Sequence, residues 1–447
     1  MSKISVRRLL SIVISLTCII TLFAGCGSEP SGDASDTTAA VSTVSEGSSA
    51  AESSSAEPVE ISFWHHYNAQ SAENKTLTDV IIPEFNKKFP NITVKPVSHE
   101  WDQLHKKILV SSSSGQLPDA ARLDSAWLPE FQNLDILVAL DKEMSDFKDV
   151  AGKLLEGPMN TAKIKGNYYG LGLNTNTKIL FYNKEMFEQA GLSAPKTMDE
   201  FFETARKLTV KKDGRQIWGY SEPALSGWNI CPFIWSNGGE LTDPDCKVAT
   251  GYINSEATVE IIQKLADLYK DGAMIGFNKG DIPMTDGYGT GRYAMIIDGP
   301  WKFAELKGSY KDFKAAAANM PAGKGGSAQV LGGEDISVFT NGQRAAAWEF
   351  IKFMTGDFAQ TEMAKVGQIP VNTAALNSDT VKNNADMAPF IEALKTARAR
   401  PAVSTWPAID KELTNAVLLA VMGEKPVKEV MDALAVKMDE LLKKAQE

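Results

Sequence analysis

The sequence predicts an α/β protein built as two lobes, each a mixed, mostly parallel sheet flanked by helices. Short segments with two-residue alternation are interleaved with longer segments of helical spacing, the pattern of a sheet covered on both faces. The pattern occurs in two successive sets along the chain. The stretch from about Val59 to Glu447 is also long for one core and comfortable for two.

In order, Val59-Glu60-Ile61-Ser62-Phe63-Trp64 alternates and reads as an opening strand. A helix over Leu77 to Lys88 follows, ending near Pro90, then a strand through Ile92-Thr93-Val94. Trp101, Leu104, Ile108 and Leu109 share one helical face, so Trp101 to Ser111 is expected to be a helix with that face inward. Asp119 to Leu123 reads as a short strand, with a helical start at Ala126. In the second set, Ile179 to Tyr182 and Ala294 to Ile297 are strands, and Met198 to Thr209 and Ala257 to Tyr269 are helices. Later helices are expected over Arg344 to Met354, Ala388 to Ala397, Lys411 to Met422 and Val427 to Lys444. The last ends in Lys443 and Lys444, which suits the negative end of its dipole. The chain carries no internal repeat.

Residues 1–25 read as a signal sequence. Lys3, Arg7 and Arg8 precede an apolar run from Leu9 to Phe23, shorter than the ~20 residues of a spanning helix. The run closes in Leu22-Phe23-Ala24-Gly25-Cys26, which resembles the bacterial lipobox; that resemblance implies a lipid on Cys26 and a membrane anchor there. The alternative is an ordinary secretory signal with a chance cysteine. Residues 26–58 are rich in Ser, Ala, Thr, Gly, Asp and Glu and lack Leu, Ile, Lys, Arg and aromatics. Such a stretch cannot bury enough apolar surface to offset its ordering entropy, so it reads as an acidic tether.

Cleavage before Cys26 would remove three basic residues and no acidic one, taking the formal net charge from −10 to −13. An acidic body without long Lys/Arg runs is a poor partner for nucleic acid. Of the remaining cysteines, Cys231 and Cys246 are either joined by a disulfide, as export permits, or stand as two separate thiols. Four histidines are few for metal work; His99 and His105 lack metal-ligand spacing and are expected at the surface, and no metal or cofactor is expected. Gly287-Tyr288-Gly289-Thr290-Gly291 precedes a strand, the wrong context for a nucleotide loop.

Several local patterns, in order, carry a family resemblance. They are Phe63-Trp64-His65-His66, Pro118 to Trp127, Tyr169-Gly170-Leu171-Gly172-Leu173-Asn174-Thr175-Asn176 with Leu180 to Lys184, Met295 to Trp301, Gly332-Gly333-Glu334-Asp335, and Arg400-Pro401 with Trp406. Together they resemble the extracellular solute-binding proteins of carbohydrate ABC importers, the maltose-binding-protein-like group, over most of Ile61 to Lys444. The resemblance implies a two-lobed periplasmic-binding-protein-like fold of type II. It places a first lobe at 59–172 plus 340–382 and a second at 177–331 plus 385–447, with hinge crossings at 173–176 and 332–339. It further implies a sugar or oligosaccharide guest between the lobes, permease subunits as partners, and a monomer on the outer side of the cytoplasmic membrane.

A sugar offers apolar C–H faces to aromatic rings and a rim of hydroxyls to carboxylates and amides. Trp64, Trp127, Trp228, Trp301 and Trp406 stand near turns or strand ends, and the resemblance implies stacking for Trp301 and Trp406. The alternative for each is core packing. Asp124 follows a strand, where it either contacts ligand or caps the helix that begins at Ser125. Glu334 reads as a ligand acceptor or a solvated hinge carboxylate, and Asn174 and Asn176 as ligand contacts or turn formers. His66 is a candidate for lining the cleft. The expectation is therefore capture without catalysis. An exported glycoside hydrolase, which would place two carboxyls ~5–9 Å apart, and a carbohydrate-sensing surface lipoprotein are the rival readings.

Overall fold

The computed structural model describes residues 57–446; the signal segment, Cys26 and the tether to residue 56 lie outside the described residues. Two sheets organise the rest. One has seven strands in the order Ile369–Pro370, Leu171–Thr177, Gln329–Val338, Ala120–Asp124, Val59–His65 and Ile92–Ser98, with Ala397–Arg398 beside the start of Gln329–Val338. The other runs Met274–Ile275, Arg215–Ser221, Tyr293–Asp298, Ile179–Asn183 and Ala315–Ala318, with Val210–Lys212 hairpinned onto Arg215–Ser221.

Each sheet has its own core. Phe63, Phe85, Phe350 and Leu171 pack within the first lobe, and Phe201, Tyr220, Phe233, Leu265 and Leu434 within the second. Both sheets are mixed, with antiparallel pairs more numerous than the periodicity predicts. Val59–His65 pairs in parallel with Ile92–Ser98 and Ala120–Asp124, where helices intervene. The antiparallel pairs lie mainly along Leu171–Thr177, Ile179–Asn183 and Gln329–Val338, strands at the passages between sheets. A strand entering from the other lobe needs no crossover helix, so nothing forces it to run parallel.

Gln329–Val338 and Leu171–Thr177 pair along most of their length, and the register slips between Glu334 and Asp335. Glu334 sits opposite Asn174 and Asp335 opposite Gly172, which leaves Leu173 as the extra residue of a bulge. The Leu173 carbonyl accepts instead from Gln360 Nε2 at 2.6 Å. The bulge leaves Glu334 toward the space between the lobes and Asp335 fully buried against Thr161 at 3.0 Å.

Local chemistry accounts for the element boundaries. Met198–Leu208 opens with a capping box, Thr197 accepting from Glu200 N at 3.2 Å while the Glu200 carboxylate returns to Thr197 N at 3.3 Å. It buries Phe201, Phe202, Ala205 and Leu208. The helix expected from Leu77 starts earlier, at Ala72, because Ser71 caps it. A π-turn over Leu77–Ile81 precedes Pro83, which lacks the N–H a regular turn needs. The helix expected from Lys411 starts at Trp406, with Pro407 in its first turn, a position where a proline is tolerated.

Cys231 and Cys246 are free. Cys231 lies inside the helix Gly227–Ser236, where burial pushes its thiol well up. Cys246 occupies a left-handed turn (φ 54°) already closed by Asp243, whose carboxylate accepts from Lys247 N and Val248 N at 2.6 and 2.7 Å. The turn needs no crosslink. No helix among the described residues is long and apolar enough to cross a membrane.

Gly219, on Arg215–Ser221, is pressed against the helix Met198–Leu208. A Cβ there would stand 1.8 Å from the Ala205 carbonyl oxygen and 2.4 Å from its carbon. Backbone on backbone cannot rotate aside, so Gly219→Ala is expected to cost about 3 kcal/mol, read from the urea midpoint at unchanged m-value.

Candidate binding site

A cleft of about 510 Å³ lies between residues of the two lobes, within the range of small-molecule sites. Arg122 and Asp124 come to it from the first sheet, His66 and Tyr67 from the segment just after the strand Val59–His65, and Asn176 and Glu334 from the paired strands that pass between lobes. Trp228, Trp301, Glu305 and Asp410 come from helices of the second lobe, and Arg400 follows the short strand Ala397–Arg398.

The chain buries charge here in matched pairs. Arg122 is an interior position of a wholly buried strand. Its Nη2 lies 2.9 Å from Glu334 Oε2, its Nη1 donates to the His66 ring at 2.9 Å, and its guanidinium lies 4.2 Å from the Tyr67 ring centroid. Asn174 and Asn176 donate to the same Glu334 oxygen at 2.5 and 3.4 Å. Burial pushes the Glu334 carboxyl above the usual range, against the pull of Arg122.

Asp124 fills the capping role and also lines the cleft. Its Oδ1 accepts from Ala126 N at 2.9 Å, capping the turn, and from Arg400 Nη2 at 2.9 Å. Its Oδ2 accepts from Trp101 Nε1 at 3.2 Å. Arg400 lies 5.5 Å from the Trp228 ring centroid, so one carboxylate links the first sheet to an aromatic wall of the second lobe.

Trp228 rests directly on Gly332. A Cβ at Gly332 would fall 2.5 Å from Trp228 Cη2 and 2.1 Å from Asn176 Oδ1. Behind the ring, Lys178 Nζ lies 5.9 Å from its centroid and is held by Asn229 and, at 3.9 Å, by Glu222. Glu222 is fully buried, and burial lifts its carboxyl to about 7.

Of the residues singled out from sequence, His66, Asp124, Asn176, Trp228, Trp301 and Glu334 line the cleft. The other four do not. Trp127 is 2 % exposed and packs against Phe131 and His105, because the turn Ser125–Trp127 directs it into the core. Trp406, also 2 % exposed, opens its helix facing inward beneath Gly227. Trp64 alternates onto the opposite side of its strand, beside His99 and Lys107. Asn174 stands behind Glu334 and contacts it rather than the cleft. His105, expected at the surface, stacks on Phe131 with its Nε2 2.6 Å from Glu130.

Arg122, Arg400, Tyr67 and Trp101 also line the cleft and carried no site assignment. Trp101, expected inside its helix face, is 42 % exposed at the helix start. An arginine flanked by Ala121 and Leu123 in a short, mainly apolar strand was the available signal for Arg122.

His65, next to His66, is buried in the first core with no partner for its Nδ1. Burial, then the charges of Arg122 and His99, lower it to about 3. An unfolded histidine takes its proton near 6.5, so stability is full above that pH and is lost as pH falls toward 3, by about 5 kcal/mol over the window. His65→Phe is expected to remove that part of the acid limb in urea titrations between pH 7 and 4.

The family of bacterial extracellular solute-binding proteins matches residues 81–389. A binding protein of Brucella abortus (strain 2308) is 27% identical over 395 residues, covering 83% of this chain and 92% of that protein. The diacetylchitobiose-binding protein DasA of Streptomyces coelicolor is 24% identical, covering 74% of this chain and 79% of its own. Among solved structures, the GacH receptor of Streptomyces glaucescens, known unliganded and with acarbose, is 23% identical with a TM-score of 0.78, over 86% of this chain and 99% of that one. Maltose-bound MalE3 of T. maritima is 23% identical with a TM-score of 0.76, over 86% and 100%. At that identity the structures speak for the fold, and the fold is two-lobed. With the family match spanning more than half its length, the chain belongs to the bacterial extracellular solute-binding proteins.

Proposed function

We propose that the protein captures a sugar or oligosaccharide in the interlobe cleft and hands it to the permease of an ABC importer. The observation that carries this is the pairing of indole faces, Trp101, Trp228 and Trp301, with fixed polar groups, Asp124, Asn176 and Glu334, in one cleft. Asn176 Oδ1 and Arg122 Nε are buried there without a protein partner, and hydroxyls supply the groups they lack. Relatives named for diacetylchitobiose and arabinooligosaccharide binding support the same class of guest.

In this reading the paired strands near 173–176 and 332–339 are the hinge, and the boundaries 59–172 plus 340–382 and 177–331 plus 385–447 delimit the lobes. Guest binding favours closure by as much as it prefers the closed form. The protein works as a monomer, held outside the cytoplasmic membrane by lipid on Cys26 behind its tether. Asp124 and Glu334 are each occupied by an arginine, which suits holding a guest better than passing protons to it. Titration of tryptophan fluorescence with mono- and oligosaccharides tests the proposal. A saturable response to at least one sugar, without release of reducing ends, is expected; tight binding of amino acids with no sugar response would overturn it.

A further inference from the structure

The charges around the cleft say more about its guest, given that the guest is a sugar. Both guanidiniums that reach the cleft are engaged, Arg122 by Glu334 and Arg400 by Asp124, each at 2.9 Å. The charge of each is already met by a seated carboxylate, which an anionic guest would find beside it. His66 supplies no third cation, because burial and the neighbouring Arg122 hold its ring neutral. Lys178 and Lys302 lie buried behind the walls, taken by Glu222 and Asn229 in one case and by Asp298, at 3.1 Å, and Glu305 in the other.

Carboxylates, by contrast, are left over. Glu73, Asp124, Glu305, Glu334 and Asp410 line the cleft, and Arg400, Lys302 and Arg122 answer Asp124, Glu305 and Glu334 alone. Among the described residues, Glu73 and Asp410 form no ion pair. Glu73 accepts from Gln368 Nε2 at 3.2 Å and Asp410 from Gly227 N at 2.6 Å, and each keeps acceptor capacity. Burial raises the Asp410 carboxyl against the pull of the nearby Arg400, and a further cation beside it would favour its ionised form. The three indole faces attract cations as well as C–H surfaces.

We propose that the guest is a saccharide carrying a protonated amine, an amino sugar or an amine-bearing oligosaccharide, and that uronic acids and phosphorylated sugars are refused. This rests on the sugar reading above and narrows it. Glu73 and Asp410 are the acceptors for the ammonium group, each from a different lobe.

The test is titration of the purified protein at pH 6 with matched hexoses and disaccharides in gluco, galacto and manno configurations, each in neutral, 2-amino and uronic acid form. In whichever set binds, the amino form is expected to bind about tenfold or more tightly than the uronate. Glu73→Gln and Asp410→Asn should each shrink the preference for amino over neutral sugar several-fold, with the unfolding midpoint followed alongside. A uronate binding as tightly as its amino counterpart, or a neutral form preferred to the amino form in every set, would overturn the inference and leave sugar capture standing. Silence toward every sugar would remove both. An amine preference unchanged in both variants would also overturn the assignment.

Discussion

Replacing Arg122 with methionine is expected to lower the unfolding free energy at pH 7 by about 3–5 kcal/mol and to abolish ligand binding. Methionine keeps the volume of the side chain, so the loss reports charge rather than a cavity. Without the guanidinium, Glu334 stays buried with Asn174 and Asn176 as its remaining donors, and His66 and Tyr67 lose the group that fixes them. Burial already raises this carboxyl, and losing Arg122 raises it further. A proton can then do what the arginine did. The deficit should therefore shrink as the pH falls toward 5, and the double variant Arg122→Met, Glu334→Gln should recover most of it. Urea unfolding of wild type, both single variants and the double variant closes the cycle. A single-variant loss below about 1 kcal/mol would mean the pair is not desolvated as the structure places it.

The second large effect belongs to Trp228. Truncation to alanine is expected to weaken sugar binding by about 2–4 kcal/mol, roughly 30- to 1,000-fold in Kd. The ring is fixed before any guest arrives, with Gly332 beneath it, Arg400 on one side and Lys178 behind. A face already immobilised gives up little entropy on binding, which is why its loss is felt in full. Trp64→Ala is the control, because Trp64 sits against His99 and Lys107 outside the cleft; its effect should stay within about twofold. Calorimetric titration with the tightest sugar found for the wild type measures both. Equal losses in the two variants would mean that aromatic content, and not this position, governs binding.

How much of this was legible in the sequence depends on what kind of signal each residue carries. Alternation and helical spacing placed the strands at Val59, Ala120, Ile179 and Tyr293 and the helices at Met198, Glu256 and Arg344 close to where they stand. Periodicity is a property of several residues at once, so it survives local exceptions. A single tryptophan beside a turn carries no such redundancy. Trp127 and Trp301 both follow a strand end, and only the three-dimensional path of the next turn sends one into the core and the other into the cleft. Trp406 is a similar case, since its inward direction is set by packing under Gly227, more than 170 positions away in sequence. The two arginines were hidden differently. Their meaning lies in the partners, Glu334 for Arg122 and Asp124 for Arg400, and neither pairing is local.

The extra residue at Leu173 constrains how such a site can change over generations. Glu334 and Asp335 are neighbours with opposite surroundings, one at the cleft and one sealed inside, and the slip in register lets both be met. Substitutions at the tips of the walls leave that arrangement intact, so new guests can be reached by exchanging side chains. Losing or gaining one residue in either strand would exchange the two acids' surroundings and carry every neighbouring side chain to the wrong face. Lineages descending from this chain can respell the tips of the walls, while the count along these two strands stays bound.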